Sequence, residues 1–170
     1  VQSLVNFAHS GVQGQPLEFT PVVLRTCVQE AINLLQLNRD SHQIHYQNLV
    51  AAEHIVGGDT QRILQVFINL LGNARDASYG NGSVRIESTQ LTYDIEIRVI
   101  DQGAGVSKKI QDQIFEPFFT TKEVGEGTGL GLALVYSIIE DHHGQIYVKS
   151  PYDSLIGTGT CFVIRLPQKR

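Results

Sequence analysis

The sequence predicts an α/β sandwich, in which a mixed and mainly antiparallel sheet carries helices on one face. Helical and strand-like segments alternate along the chain of 170 residues, a length that suits one domain. Residues 83–90 and 93–100 both alternate between apolar and polar side chains across a short turn, which predicts an antiparallel pair. The segment 60–79 is apolar around most of a helical circumference, as a helix packed against a sheet must be.

The remaining elements follow from hydrophobic spacing and from the residues that end helices. Residues 1–8 have apolar side chains at helical intervals and precede Gly11 and Gly14, so we expect them to be the end of a longer helix. Asp59 is the expected N-cap of the long helix that follows it. The other expected elements are a strand at 17–24, a helix at 22–37, a strand at 42–50, a short helix at 107–114, a helix at 129–142, and strands at 145–150 and 160–167.

Composition narrows the function classes. The formal net charge is −4, the isoelectric point is near 5.8, and Lys and Arg are not clustered, so we expect no nucleic-acid partner. The apolar stretches are shorter than the roughly 18 residues of a membrane span, and the N-terminus lacks a signal-peptide pattern. We therefore expect a soluble, cytoplasmic domain, whether its parent protein is soluble or anchored in the inner membrane. Cys27 and Cys161 lie in apolar contexts without metal-ligand spacing and are expected to be buried, reduced thiols.

One polar stripe crosses the long helix. At about 100° per residue, its side chains fall within one sector, opposite Leu64, Ile68 and Leu71. Amide and carboxylate oxygens suit Mg²⁺, and short amides four residues apart are less typical of a solvated face than Lys and Glu. Two interpretations remain at this point, a face that binds metal and phosphate or a solvent-exposed face. The stripe comprises Arg62, Gln65, Asn69, Asn73 and Asp76.

An acidic residue stands at the end of the second strand of the pair. Asp101 is followed by Gly103 and Gly105, a pattern that also occurs where aspartate only forms a turn. Beside a phosphate site, its carboxylate has a second use, because it can accept a hydrogen bond from the exocyclic amine of adenine while glycines let the backbone approach the ring. Guanine carries a carbonyl at that position and would be repelled.

Four glycines stand directly before an apolar run with helical spacing, at the start of the helix expected at 129–142. They occupy alternate positions from Gly125 to Gly131 and leave backbone N–H groups free at a helix N-terminus, where the helix dipole favours an anion. The stretch can therefore hold a polyphosphate without a basic side chain, and residues 116–128 can act as a lid. The spacing fits neither a Walker A nor a Rossmann motif, and a glycine-rich helix start without a ligand is the remaining alternative.

The combination resembles the sensor histidine kinases, over about residues 16–168. Four motifs occur in the family order: "QVFINLLGNARDA" is similar to the asparagine box, "DQGAG" to the first glycine box, "FEPFFTT" to the phenylalanine box and "GEGTGLGL" to the second glycine box. These kinases share the Bergerat ATP-binding fold with gyrase, mismatch-repair and heat-shock chaperone ATPases. The form "FFTTK" is most similar to the nitrogen-regulation branch.

The resemblance implies ATP and Mg²⁺ as ligands. Asn73 would coordinate the Mg²⁺ that bridges the phosphates, with Asn69 beside it on phosphate or metal. Asp101 would bind the adenine amine in a pocket that Gly103 and Gly105 shape. Asn73 and Lys122 are the catalytic residues that it implies for this chain. The further implied binding residues are Phe115 and Phe119 as lid anchors, Thr120, Thr121 and Lys122 near the phosphates, Gly127, Thr128, Gly129, Leu130, Gly131 and Leu132 in the phosphate loop and helix start, and Thr160 in the adenine pocket.

One position departs from the family pattern. Many of these kinases carry Lys, Arg or His where this chain has Asp76. Neutralisation of phosphate charge is therefore expected from Arg75 or Lys122 instead, and the role of Asp76 itself in nucleotide binding stays open.

The resemblance also implies a histidine that accepts the phosphate, on a helical dimerisation domain and followed by an acidic residue. We expect that acceptor outside this chain, with residues 1–13 as the tail of a dimerisation helix and 14–170 as the catalytic domain. The implied partners are the dimerisation domain of the same protein and the receiver domain of a response regulator, with a homodimeric full-length protein and a monomer for this chain alone. The histidines that lack the acceptor context are His9, His42, His45, His54, His142 and His143.

Two other function classes fit parts of the pattern. The first is a binding module in which the nucleotide only gates a protein contact, as in a degenerate kinase or an anti-sigma-like switch. Phosphate transfer from labelled ATP to a dimerisation domain distinguishes it from a kinase. The second is a self-contained ATPase of the gyrase type, which needs a glutamate base ahead of the key asparagine. Gln65, Asn69 and Gly72 supply no carboxylate there, which disfavours this class.

Overall fold

The computed structural model describes residues 18–37, 43–78, 82–120, 131–151 and 158–168. Within these ranges the chain forms three α-helices and seven β-strands in an interleaved order. Most of the sequence-predicted elements are confirmed, with ends that move by a few residues. The elements are β1 (Thr20–Val23), α1 (Leu24–Leu37), β2 (His45–Leu49), β3 (Ile55–Gly58), α2 (Thr60–Ala77), β4 (Ser83–Gln90), β5 (Asp94–Asp101), α3 (Gly131–Asp141), β6 (Gln145–Lys149) and β7 (Thr160–Pro167).

Five of the strands form one mixed sheet in the order β2-β4-β5-β7-β6. The pair β2–β4 is parallel, and the other three pairs are antiparallel. Strands β1 and β3 form a separate antiparallel ribbon, which an isolated bridge from Val56 to Gln168 connects to the end of β7. The expected mixed and mainly antiparallel sheet is therefore confirmed.

The helices cover one face of this sheet. Alternation along β4 and β5 directs Val84, Ile86 and Ile97 into a fully buried core, where they meet the apolar faces of the helices. The opposite face carries charged pairs between adjacent strands. In one of these pairs, Arg165 Nε lies 2.9 Å from Glu96 Oε2. The same face also holds a small buried cluster of Ile100, Cys161 and Val163. Helices packed on the other face complete the two-layer α/β sandwich.

The structure corrects two features of the local prediction. The short helix expected at 107–114 is not formed, and residues 108–115 make consecutive turns instead. The i to i+3 bonds there are spaced three residues apart, from Ile110 N to Ser107 O and from Gln113 N to Ile110 O, so no continuous helical ladder forms. Strand β3 was not expected, because four residues ending in two glycines show too little alternation to be recognised. The helix expected at 1–8 lies outside the described residues.

Two expectations from composition can be compared with the structure. Cys27 and Cys161 are both buried and free, as expected. Burial raises the pKa of the Cys27 thiol to about 12 and that of Cys161 to about 11, so neither thiol is ionised near neutral pH. Among the described helices, none has the length and apolar character that crossing a bilayer requires.

Candidate nucleotide-binding site

Helix α2 presents the polar stripe on the side away from the core. The helix begins at Thr60 because Asp59 caps it, with Oδ1 accepting from the backbone N–H of Arg62 at 3.2 Å. The residues of the stripe are half-buried except Asp76, which is exposed. Other elements therefore shield most of the stripe from bulk water. The core face of α2 consists of Ile63, Leu64, Val66, Phe67, Leu70, Leu71 and Ala74.

Helix α3 covers the first part of this stripe. Arg62 Nη2 lies 2.7 Å from Asp141 Oδ2, at the last residue of α3. The Asn69 Nδ2 donates to the carbonyl of Gly131, the first residue of α3, at 3.3 Å. Asn69 Oδ1 in turn accepts from Gln65 Nε2 at 3.0 Å. The two helices therefore run antiparallel, and the carboxamide of Asn69 holds the N-terminus of α3 beside α2.

Asn73 lies one helical turn beyond Asn69 and past the start of α3. It is half-buried, and within the described ranges no group hydrogen-bonds its carboxamide. Arg75 and Asp76 form an ion pair next to it, with Nε and Oδ1 separated by 3.4 Å. Exposed pairs of this length contribute little to stability.

Asp101 ends strand β5 in a buried position. Asp101 is 4% exposed, and its Oδ1 accepts from the backbone N–H of Gly103 at 2.9 Å. Burial raises the pKa of the carboxyl group, and backbone hydrogen bonds from Gly103 and Thr160 oppose that rise. Thr160 lies directly opposite Asp101 in the β5–β7 pair and is itself buried, next to the expected adenine contact.

The loop after Asp101 packs against the end of α2. A Cβ at Gly103 would lie 2.4 Å from the carbonyl oxygen of Ala77, so only glycine fits between loop and helix. Gly105 has a φ of +88°, in the left-handed region that glycine adopts without strain. Ala77 is the last residue of α2, one turn beyond Asn73. The loop after Asp101 therefore packs against the C-terminal end of α2.

The phenylalanine segment joins α3 to the sheet. The ring of Phe115 lies 5.8 Å from that of Tyr136 on α3 and 6.2 Å from that of Phe162 on β7. Phe119 packs partly buried against the same core, as does Leu132 in the first turn of α3. Thr120 is exposed at the end of this segment. Phe115 therefore contacts the middle of α3 through Tyr136, while Leu132 packs on the same core from the first turn of that helix.

Some predicted site residues have no structural description. Thr121, Lys122, Gly127, Thr128, Gly129 and Leu130 lie outside the described residues. Among the described ones, Asn69 bonds to Gly131 at the start of α3, and Gly103 in the loop after Asp101 packs against Ala77 at the end of α2. A cavity of about 340 Å³ between α3 and β6, lined by Tyr136, Ile139, Glu140, Gly144, Gln145, Ile146 and Tyr147, shares no residue with this group.

Sequence reasoning missed two side chains that hold the loop after Asp101. Ser150 Oγ accepts from the backbone N–H of Val106 at 2.7 Å, and Gln111 Nε2 donates to the carbonyl of Val106 at 2.9 Å. One serine at a strand end and one glutamine in a turn give no periodic or motif signal. Only their three-dimensional contacts with Val106 identify Ser150, which follows β6, and Gln111.

Comparison with known proteins decides which family this geometry represents. Residues 58–170 match the family of histidine kinase-, DNA gyrase B- and HSP90-like ATPases. The chain belongs to this ATPase family. Its relatives within the family include sporulation kinase A of Bacillus subtilis, 37% identical over 147 residues that cover 86% of this chain and 23% of that protein. Sensory histidine kinase/phosphatase NtrB of Rhodobacter capsulatus is 33% identical over 152 residues, covering 80% of this chain and 41% of NtrB.

Solved structures of family members agree with the fold. The catalytic domain of the histidine kinase ThkA has a TM-score of 0.76 and 31% identity, covering 90% of this chain and 99% of that one. ThkA in complex with the response regulator protein TrrA also has a TM-score of 0.76, with 28% identity over 99% of this chain and 47% of that one. The described residues thus form an ATP-binding catalytic domain of the sensor histidine kinase type. The chain spans 23%, 18% and 13% of the length of three curated relatives.

Proposed function

We propose that this ATPase-family domain binds Mg-ATP and transfers the γ-phosphate to a histidine on a dimerisation domain outside residues 14–170. The observation that carries the proposal is the packing of three segments. The loop after the buried acceptor Asp101 lies at Gly103 against the end of α2, the helix that carries the half-buried Asn73, and Asn69 on the same helix holds the α3 N-terminus at Gly131. Each group suits a different part of the nucleotide. Asp101 accepts from the adenine amine, and the α3 N-terminus faces the phosphates.

The donor set near Asn73 fits Mg²⁺. The Asn73 carboxamide has no hydrogen-bond partner in the described part of the chain, and the Asn69 oxygen lies one turn away on the same helix face. Mg²⁺ takes few protein oxygens and completes its shell with waters and phosphates, so a sparse amide site is sufficient. When bound, the ion would neutralise phosphate charge. Asn73 would hold it, and Asn69 would contact phosphate or metal.

The remaining chemistry of this chain is positioning. Phosphoryl transfer needs an in-line nucleophile and stabilised charge on the γ-phosphate rather than covalent help from the protein. Lys122 and Arg75 would supply positive charge, and the α3 N-terminus would supply oriented N–H groups. The imidazole nitrogen of the partner helix forms the new bond to phosphorus, the bond to the β-phosphate oxygen breaks, and ADP leaves. The acceptor and its base lie on the dimerisation domain.

The other binding residues would complete the site. Thr160 and the two loop glycines, Gly103 and Gly105, would border the adenine ring, while Phe115 and Phe119 would anchor a lid over the phosphates. Residues 1–13 would be the end of a dimerisation helix that presents the acceptor in a homodimer. The phosphate would then pass to a response regulator, a partner suggested by the ThkA complex with TrrA. ATP is a cytoplasmic nucleotide, which supports a cytoplasmic position for the domain.

The Asn73→Ala variant tests the proposal. Loss of the carboxamide should reduce the affinity for Mg-ATP below detection by calorimetric titration, because the ion loses its protein ligand. Asn33→Ala is the matched control. On the exposed face of α1, Asn33 Oδ1 accepts from Gln29 Nε2 at 3.1 Å, in the same i to i+4 spacing as Asn69 and Gln65 on α2. An Asn73→Ala titration that matches the parent would refute the metal assignment.

Transfer of labelled phosphate separates a kinase from a nucleotide-gated binding module. The parent chain and a separately supplied dimerisation domain are incubated with γ-labelled ATP, and label on the acceptor histidine is measured. We expect acid-labile label on the dimerisation domain, and none with Asn73→Ala. Binding of ATP without any transfer would favour the binding module instead.

A further inference from the structure

The loop that follows Asp101 is closed into a ring of hydrogen bonds by a residue of another strand connection. Ser150 Oγ accepts from the Val106 N–H at 2.7 Å and donates to the Gly159 carbonyl at 3.0 Å. The Gly159 N–H donates to the Gly103 carbonyl at 2.9 Å. One hydroxyl therefore ties together the two chain segments that lie on either side of the Asp101 carboxylate.

A glutamine reinforces the same ring from outside. Gln111 Nε2 donates to the Val106 carbonyl at 2.9 Å and to the Ser150 carbonyl at 3.0 Å. The residues that make these bonds are all half-buried: Ser150, Gln111 and Val106. Bulk water does not simply replace a hydrogen bond that is lost at such a position. We call Ser150 and Gln111 the loop brace.

The brace acts on the two groups that orient Asp101. The carboxylate accepts from the backbone N–H groups of Gly103 and Thr160. Gly103 lies in the braced loop, and Thr160 directly follows Gly159. The ring includes two residues at positive φ, Gly105 at +88° and Gly159 at +87°. Glycine loses more conformational entropy on folding than any other residue. Without the brace, both donors could move relative to each other.

We propose that Ser150 is a positioning residue for adenine binding, with Gln111 in support. Its hydroxyl holds the loop at Val106 and the strand entry at Gly159, and so fixes the direction of the Asp101 carboxylate before the nucleotide arrives. Preorganisation of this kind raises affinity by reducing the ordering cost on binding. The proposal rests on the proposed function, because it takes Asp101 as the adenine contact.

The ligand series adenosine, ADP and Mg-ATP tests this assignment in titrations of the Ser150→Ala variant. We expect all three to bind about three- to tenfold more weakly than to the parent, by one common factor, since the lost bond acts on the adenine side. Exchange of the Val106 amide hydrogen should also accelerate. Ser150→Thr keeps the hydroxyl and should return affinity towards that of the parent, which a loss of packing alone would not explain.

Ser88→Ala is the matched control for loss of a half-buried serine hydroxyl. Ser88 Oγ accepts from the Ala51 N–H at 3.0 Å and contacts His54 Nδ1 at 2.8 Å, on the part of β4 beside the β2–β3 connection. It should lower stability without changing the affinity for any of the three ligands. If Ser150→Ala does not fold, Gln111→Ala provides the same test, because it removes two bonds of the brace and leaves the hydroxyl in place.

Two results would overturn the positioning role. One is a parent-like affinity for all three ligands in Ser150→Ala and Gln111→Ala. The other is a loss that grows with the number of phosphates, because it would locate the defect on the phosphate side. Absence of ATP binding by the parent itself would instead refute the proposed function, so the two failures can be told apart.

Discussion

At the residue scale, Asp101 is the group whose surroundings most restrict its chemistry. Burial raises the pKa of its carboxyl group, and only backbone N–H groups, from Gly103 and Thr160, oppose that rise. A carboxylate has about four lone-pair positions, so two backbone donors leave acceptor capacity for an incoming amine. The two backbone donors therefore fix the direction of the Asp101 carboxylate without filling all of its acceptor positions.

The Asp101→Asn variant should bind Mg-ATP about ten- to a hundredfold more weakly. A hydrogen bond to a charged acceptor contributes about 1.5–3 kcal/mol, and the asparagine amide would also oppose the adenine amine, donor to donor. The side-chain oxygen still accepts from Gly103, and a buried charge is removed, so the free energy of unfolding should fall by less than about 1 kcal/mol. Calorimetric titration and urea unfolding measure the two quantities.

Asp94→Asn serves as the control for this change, because Asp94 begins the strand that Asp101 ends. It is half-buried and pairs with Pro167, at the opposite end of β5 from the loop. The affinity of the Asp94→Asn variant for Mg-ATP should equal that of the parent. An Asp101→Asn variant with unchanged affinity would remove the adenine contact from the proposed site.

At the element scale, the site depends on how α2 meets its two neighbours. Arg62 and Asn69 bind the two ends of α3, so the position of the α3 N-terminus is set by the stripe on α2. The other end of α2 meets the loop after β5, where Gly103 lies against Ala77. A shift at either contact would separate the amides from the acid.

The Gly103→Ala variant tests the second of these contacts. Its Cβ would lie 2.4 Å from the carbonyl oxygen of Ala77 and 3.0 Å from the carbonyl carbon, both backbone atoms that side-chain rotation cannot move. Overpacking of this kind costs about 1–3 kcal/mol, and the loop has to move away from α2. Urea unfolding should show that loss of stability, and titration should show weaker Mg-ATP binding.

Gly57→Ala is the corresponding control, since a Cβ at Gly57 in β3 meets nothing within 4 Å. Alanine in a strand has less unfolded-state entropy to lose than glycine, so the stability of this variant should be equal to or above that of the parent. Unchanged stability and affinity in Gly103→Ala would show that the loop and α2 are not packed as tightly as the structure places them.

At the scale of the whole molecule, the sequence identifies the layers better than the connections between them. The antiparallel pair and the long capped helix were predicted because alternation and capping are local signals that match the final burial. The turns at 107–114 and strand β3 were not, because their conformation is decided by packing against distant residues. The same division applies to the site. Asp101 and Asn73 belong to recognisable motifs, whereas Ser150 acts through a contact with Val106, 44 positions away along the chain.

A buried histidine connects α3 to the start of α2 and to the β1–β3 ribbon. His142 is 2% exposed, and its Nε2 accepts from the Asp59 N–H at 3.0 Å while Nδ1 contacts the Ile138 carbonyl at 2.7 Å. A backbone N–H can only donate and a carbonyl can only accept, so the ring is neutral with its proton on Nδ1. The ring also stacks on Phe19, with centroids 5.1 Å apart.

Protonation of His142 should therefore lower the stability of the domain below neutral pH. Burial lowers its pKa, and Arg62 does too, while the bond to Ile138 and the carboxylates of Asp59 and Asp141 oppose the shift. With the folded pKa below the unfolded value of about 6.5, the unfolded state binds the extra proton first. Stability is thus complete above about pH 6.5 and declines as the pH falls from there, by at most about 1.4 kcal/mol per pH unit.

The His142→Gln variant isolates this contribution, because glutamine can still accept from Asp59 but does not titrate near neutral pH. Its free energy of unfolding, measured by urea at pH values from about 7.5 to 5, should be lower than that of the parent at neutral pH but should change less with pH. His143→Asn replaces the neighbouring, exposed histidine, whose φ of +59° asparagine tolerates, and should keep the dependence of the parent. A His142→Gln profile as steep as that of the parent would assign the pH dependence to other groups and leave His142 with a packing role only.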